Sequence, residues 1–325
     1  MPSRYFCTLF DRNYLLKGVV MLRSITRHCP GARVFVLAMD DVTAGILNQL
    51  AIPGVVTIPV AAVEDEEVLA AKSGRSIAEY CWTLGSVLLW HVVEHYPEIE
   101  LVTYLDADLM FFSPVEPLFD EMGAGSISII EHRYTPRLAH LKAYGRFNVQ
   151  WVAFRRDADG LDCLRSWRAQ CLEWCFARVE KGKLGDQTYL DAWPGKYKAL
   201  RILDHKGAGV APWYYPNYRV TTRADDILVD GVPLVFYHFH QFQILEGGKF
   251  DYISSVYSQD VAPPEAIYGR YCDAITSTLA EVRKIDPQFN YGLRAASSVT
   301  LRRIAQRLLP LGMKNVLRRI GIQAW

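Results

Sequence analysis

Two aspartates one residue apart, Asp106 and Asp108, stand in the segment LVTYLDADLMFF at the end of an apolar run. Alternation along an extended chain sends both side chains to the same side. Two hard oxygen donors so placed suit Mn²⁺ or Mg²⁺, with phosphate oxygens and water filling the rest of an octahedral shell. A metal held this way would neutralise a departing diphosphate as a Lewis acid. The competing reading is a pair of solvated acids ending a strand. The apolar strand before them and the exit Phe111-Phe112-Ser113-Pro114 favour the metal. Further along, His238 and His240 lie on one face of an expected strand, so either can complete a metal shell. The alternative for such histidines is a hydrogen-bonded core or rim position. Gly185-Asp186 ahead of an apolar run reads as a helix N-cap, with Gln187 beside it.

These residues need elements to carry them. Tyr5–Leu9, Arg33–Met39, Val55–Val60 and Leu101–Leu105 read as strands, and helical spacing runs through Tyr14–His28, a short segment to Leu50, and Ile77–Val93. Strands alternating with helices predict an α/β fold: a Rossmann-like, mostly parallel mixed sheet flanked by helices. Ligands of such sheets sit beyond the carboxyl ends of the strands, and Asp11 and Asp106 both fall there. Later, Ser126–Glu131, Val149–Arg155 and Val232–His240 read as strands, and Asp157–Val179 and most of Pro263–Ile285 as helices. Residues 205–231 read as a long loop, a place where function often resides. Within it Trp213, Tyr214 and Tyr215 offer aromatic faces to a sugar or pack as a surface lid. Glu131-His132 ends a strand as a donor or acceptor contact, or as plain rim polarity.

The segment YLDADLMFFSPVEPLF resembles the D-x-D region of the GT-A glycosyltransferases. It is closest to the retaining branch that contains glycogenin and the bacterial lipopolysaccharide galactosyl- and glucosyltransferases. The resemblance runs through residues 4–250 in order. FCTLFDRNYLLKG is similar to the family's first strand and nucleotide-binding turn, which implies Thr8, Phe10, Asp11 and Tyr14 near the base and ribose. RFNVQWVAF resembles its F-N-x-G segment and implies Asn148 near the donor sugar. KLGDQTYLDAWP resembles its D-Q-x-x-L segment and implies Asp186 and Gln187 beside the anomeric carbon. YHFHQF resembles its H-F-x-G segment and implies His238 as a metal ligand with Asp106 and Asp108, His240 being the substitute. Gln150 and Gln241 stand where the family often has Gly. The Lys-Pro-Trp signature is missing, and Lys249 in GGKF is its nearest replacement on the diphosphate.

The resemblance implies a hexosyltransferase using a nucleotide sugar, UDP-linked by preference, and a saccharide or lipid-linked glycan acceptor, in cell-surface polysaccharide or lipopolysaccharide synthesis. Retention of configuration would need a carboxylate near the anomeric carbon or front-face attack assisted by the leaving phosphate; Asp186 could be that carboxylate or could bind sugar hydroxyls. A sugar-phosphate nucleotidyltransferase would need a Gly-rich, Arg-containing loop after the first strand, which TLFDRNYLLKG lacks. An aspartyl phosphatase would place Gly or Thr after its D-x-D, where Leu109-Met110 stand. A non-catalytic, membrane-associated nucleotide-sugar binder is the rival from another class.

Charge divides the chain into a domain over residues 1–290 and a tail over 291–325. The tail holds seven basic residues and no acid, leaving 29 basic against 35 acidic residues, a net of −6, in the body. Within residues 296–325, Leu301, Ile304, Ala305 and Leu308 share one helical face and Met313, Val316, Leu317 and Ile320 another, with basic residues opposite. This pattern suits an anionic membrane surface, or packing on the acidic body. An acidic body makes nucleic acid a poor partner. The seven scattered cysteines suggest no disulfide framework, and Cys171 and Cys175 read as core residues. With no signal segment at MPSRYFCTLFDRNY, a cytoplasmic protein on the inner face of the membrane is expected.

Overall fold

The structure is a computed structural model and describes residues 3–254, 256–257 and 261–295. The chain begins with β1 (Tyr5–Phe10), α1 (Leu15–His28), β2 (Arg33–Ala38), α2 (Asp41–Leu50), β3 (Val55–Pro59), α3 (Glu66–Lys72), α4 (Ile77–His95) and β4 (Leu101–Leu105). It continues through β5 (Leu109–Phe111), α5 (Glu116–Met122), β6 (Ile127–Glu131), β7 (Phe147–Arg155), α6 (Ala158–Glu173), α7 (Trp193–Lys196) and β8 (Leu200–Leu203). The last part holds β9 (Val220–Arg223), β10 (Asp226–Val229), β11 (Val232–Pro233), β12 (Phe236–His238), β13 (Gln243–Leu245), β14 (Lys249–Asp251), α8 (Glu265–Ile285) and β15 (Leu293–Arg294).

The central sheet has the order β3-β2-β1-β4-β7-β6-β8. Its strands run parallel except β7, which is antiparallel to both neighbours. A strand covered on both faces needs an unbroken apolar run; β2, RVFVLA, is buried at every position after Arg33. One apolar layer includes α1 and α8, the other α4 and α6. Helix starts are fixed by side chains accepting orphan N–H groups: Asp40 accepts from Thr43 N at 2.9 Å, Asp157 from Gly160 N at 2.9 Å, and Ser76 with Glu79 closes a capping box on α4. The alternating α/β reading of the sequence is the fold observed.

Three local expectations change. Residues 205–231 are not all loop, because β9 and β10 form an antiparallel hairpin extended by β11. Val232–His240 is not one strand: β11 belongs to that hairpin, while β12 pairs with β5. The helix expected to reach Val179 ends at Glu173, where Trp174 turns extended. Cys171 and Cys175 are fully buried free thiols. No helix among the described residues is long and apolar enough to cross a membrane. Of the tail, Leu293 and Arg294 pair in parallel with Ile244 and Leu245 of β13. Residues 296–325, with the two amphipathic segments, lie outside the described residues.

Candidate functional site

β1 and β4 are neighbours in the sheet, so the turn Asp11–Tyr14 and the pair Asp106, Asp108 emerge at one rim. After Asp106 the chain enters β5, and β5 pairs antiparallel with β12, setting His238 opposite Leu109. Phe239 N–H donates to the Asp108 carbonyl at 2.9 Å. This ribbon brings a histidine 130 positions away in sequence onto the aspartate, with His238 Nε2 2.9 Å from Asp108 Oδ1 and 3.8 Å from Asp106 Oδ2. The donor atoms of Asp108, His238 and His240 lie within 4.8 Å of one another. One carboxylate and two imidazoles converging so closely fit a divalent transition-metal ion. His240 therefore stands beside His238 and not in its place, and Asp106 lies at the edge of the tightest group.

The charges fit the same reading. Burial opposes a charged His238, but Asp108 and then Asp106 outweigh it and raise its pKa. Burial also opposes ionisation of Asp108, yet the charge and hydrogen bond of His238 hold that carboxyl below its ordinary range. Asp106 is pushed up to about 6 by burial and by Asp108, against the pull of His238. Burial, then His238, lowers His240 to about 4, which leaves it neutral with a lone pair to donate. Asp108 and Asp106 thus both favour positive charge at this position.

His238 is held from behind. Its Nδ1 lies 3.1 Å from Gln150 Oε1, so Nδ1–H donates to the amide oxygen and Nε2 is turned toward Asp108. Gln150 is fully buried, and its Nε2 has no hydrogen-bond partner among the described residues. Gly209 makes room: it has φ +65°, and a Cβ there would lie 2.7 Å from that nitrogen. Gln150 lies where β7 shifts register between the partners of Ile129 and Ile130 on β6, Val152 and Asn148. Gln241, the other departure from glycine, adopts φ 60°, the left-handed conformation in which glycine is unstrained.

Asn148 is buried and committed at both ends of its amide. Its Oδ1 accepts from Gln150 N at 2.8 Å, and its Nδ2 donates to His132 Nε2 at 2.9 Å. His132 is neutral, because burial drives its pKa down to about 3. Glu131 pairs with Arg146. Asp186 does not cap the following 3₁₀ turn: no cap hydrogen bond forms. Burial first, and Asp106 second, push its pKa up to about 8. Gln187 Nε2 donates to the Tyr144 carbonyl at 2.8 Å, tying it to the loop before β7.

At the turn after β1, the Asp11 carboxylate accepts from Asn13 N at 3.0 Å and Tyr14 N at 3.2 Å, and Tyr14 is 42% exposed. Thr8 and Phe10 do not reach the rim surface. β1 is covered on both faces, so Thr8 is buried and Phe10 packs against Gly18 of α1. Lys249 sits exposed on β14, the outer strand of a sheet ordered β14-β13-β15. Trp213, Tyr214 and Tyr215 are neither a sugar platform nor a lid but buried core. Trp213 meets His238, His240 and His132 edge-on and so supports the histidines from beneath. Sequence reasoning missed this support and missed Lys17, a lysine inside the apolar run LLKGVVML, whose setting was its signal.

No family model matches the sequence. The uncharacterized proteins YfnD and YfnF of Bacillus subtilis strain 168 are each 30% identical to it, over 295 and 300 residues. The matches span 90% and 89% of this chain and 95% and 97% of theirs. Among solved structures, the galactosyltransferase LgtC, in complex with donor and acceptor sugar analogs, shares 15% identity over 84% of this chain and 95% of its own, with a TM-score of 0.50. The glycosyltransferase GlyE of Streptococcus pneumoniae TIGR4 shares 14% identity over 86% of this chain and 64% of its own, with a TM-score of 0.51. The fold is that of the GT-A glycosyltransferases.

Proposed function

From the premise that the chain belongs to the family of YfnD and YfnF and has the GT-A fold, we propose that it is a metal-dependent glycosyltransferase acting on a nucleotide sugar. The observation that carries this is the convergence of Asp108, His238 and His240 at a rim where Asp106 and Asp186 also stand. A divalent cation bound there supplies Lewis-acid neutralisation of the departing diphosphate. Mn²⁺ suits the mixed carboxylate and imidazole donors better than Mg²⁺, which prefers an all-oxygen shell.

The chain's own residues divide the remaining work. Asp108, oriented by His238, and Asp106 present negative charge to the cation. Gln150 fixes the ring of His238. Asp11 shapes the turn that presents Tyr14 to the nucleotide, for which uridine is the proposed base. Asp186 and Gln187 flank the anomeric carbon, Asp186 as an uncapped carboxyl that burial keeps protonated near neutral pH. We read the reaction as retaining, moving a hexose to a saccharide or lipid-linked glycan. Residues 296–325 would hold the protein to an anionic membrane at its cytoplasmic face, near such an acceptor.

The test is a panel of nucleotide sugars in thermal shift, with and without Mn²⁺, followed by the slow hydrolysis of any donor that binds. A UDP-sugar should raise Tm with Mn²⁺ present and should be hydrolysed, since a ligand of the folded state stabilises by mass action. Binding without hydrolysis would leave a nucleotide-sugar-binding protein. A panel that leaves Tm unchanged would remove the reading altogether.

A further inference from the structure

Lys17 lies in the first turn of α1 and is only 6% exposed. Among the described residues its ammonium forms no ion pair and no hydrogen bond; its near contact is the Tyr14 ring, 4.5 Å away. Buried charges are ordinarily paired, because removing an ion from water is costly. Lys17 instead feels Asp108 as an attraction and Arg294 as a repulsion. Its charge is felt in turn by Asp108, His238 and His240, so it stands at the metal cluster.

Arg294 comes from the far end of the described chain and is fixed in place. β15 is held in the β13 sheet, Glu246 N–H donating to the Arg294 carbonyl at 2.9 Å. The residues before it dock on the nucleotide-side turn. Gly292, with φ +74°, lies so close that a Cβ would sit 2.2 Å from the Asn13 carbonyl oxygen, and the Arg12 guanidinium lies 5.1 Å from the centre of the Tyr291 ring. Arg294 also acts on the charge of Tyr14. Two cations from distant parts of the sequence thus act on each other, Lys17 near Asp108 and Arg294 near Tyr14, and among the described residues no carboxylate is bonded to either.

We propose that Lys17 and Arg294 form an anion clamp for the diphosphate of a nucleoside diphosphate, Lys17 from the floor of the site and Arg294 from its edge. The inference rests on the nucleotide-sugar reading above and assigns the diphosphate grip to residues other than Lys249. It gives an anion to a buried lysine whose ammonium, among the described residues, meets only the Tyr14 ring.

The experiment compares wild type, Lys17→Met and Arg294→Gln by calorimetry and thermal shift, using UDP and inorganic pyrophosphate with Mn²⁺, and Mn²⁺ alone. Lys17→Met should weaken UDP and pyrophosphate binding on the order of 10- to 100-fold, the range of charge-assisted hydrogen bonds. Arg294→Gln should weaken both by about tenfold, since its exposed position reduces its weight. Neither should weaken the binding of Mn²⁺ alone. The ligand-free Lys17→Met protein should melt no lower than wild type, because it loses an unpaired buried charge. A lower Tm would make Lys17 a structural partner of Asp108 and overturn the clamp, as would UDP affinities equal to wild type in both variants. If Lys17→Met does not fold, Arg294→Gln decides alone. If wild type binds neither UDP nor pyrophosphate, the nucleotide-sugar reading falls and the clamp with it.

Discussion

Asp108 and Asp186 stand at the same rim, and the protein treats their carboxyl groups in opposite ways. Asp108 is enclosed by a ribbon: β12 lies along β5, His238 bonds its oxygen, Gln150 holds His238, and Trp213 lies under both histidines. Around Asp186 the chain is a short 3₁₀ turn without a side-chain cap, and the carboxyl meets only the backbone N–H groups of Asp186 and Gln187. One is held ionised and the other is held neutral, Asp108 below its ordinary range and Asp186 at about 8. Under the proposed function the difference serves two tasks at one rim: charge fixed in advance for a cation, and a neutral carboxyl beside the sugar that adds no repulsion to the leaving anion.

The ribbon side should respond most strongly to mutation. Asp108→Ala removes the one carboxylate in the tightest donor set, and Mn²⁺-dependent UDP binding should fall by more than about 100-fold, beyond the range for outer-shell residues. Calorimetry with Mn²⁺ present measures it, and unchanged affinity would end the metal assignment. Gln150→Ala comes next. It leaves all donors in place but frees the His238 ring, so Mn²⁺ affinity should fall by about 10- to 100-fold. Gln150→Glu keeps an oxygen acceptor for Nδ1–H and should retain most of the affinity. Titration of free Mn²⁺ by electron paramagnetic resonance separates them, and an unchanged affinity in Gln150→Ala would mean that Gln150 does not hold the His238 ring for the metal.

The same contrast accounts for what the sequence revealed. The parallel half was legible, because β1, β2 and β4 are apolar runs punctuated by polar turns, and their ends locate Asp11 and Asp106 directly. The ribbon was not. β5 and β12 have three residues each, too short for alternation to register, and their pairing is a long-range contact. Resemblance pointed to His238, with His240 as the substitute; the structure sets donor atoms of both and of Asp108 within 4.8 Å of one another. The aromatic stretch Trp213–Tyr215 looked like a sugar surface because composition cannot distinguish an exposed ring from a buried one. Asp186 looked like a cap because Gly-Asp before an apolar run fits that pattern, although the turn that follows is 3₁₀. Lys17 was passed over as one charge in a helix, though neighbours Leu15, Leu16, Val19 and Val20 marked its face as buried.

The smallest expected effect is the one that separates the two carboxylates by sign. Asp186 in the unfolded chain titrates near the ordinary carboxylate value of about 4, and in the fold at about 8. Between those values the folded protein keeps a proton that the unfolded chain has lost, so stability falls as pH rises through the window. Asn cannot ionise. Asp186→Asn should therefore match wild type at about pH 4, gain steadily toward pH 8 and level off above it, with a final advantage of about 2 °C or more in Tm. Asp108 has the opposite sign. Its folded value is depressed, so its contribution is present above about pH 4 and is lost as pH falls through the folded value; Asp108→Asn should lower Tm at neutral pH. Mn²⁺ should narrow the Asp186 difference without removing it, because the cation quiets Asp106 and leaves burial, the larger cause, untouched. Melting curves of wild type and the two Asn variants from pH 4 to 9, metal-free and with Mn²⁺, measure the Asp186 window and the neutral-pH effect of Asp108→Asn. A pH-independent offset for Asp186→Asn would show that its carboxyl is ionised like any other, and the asymmetry between the two sides of the rim would be lost.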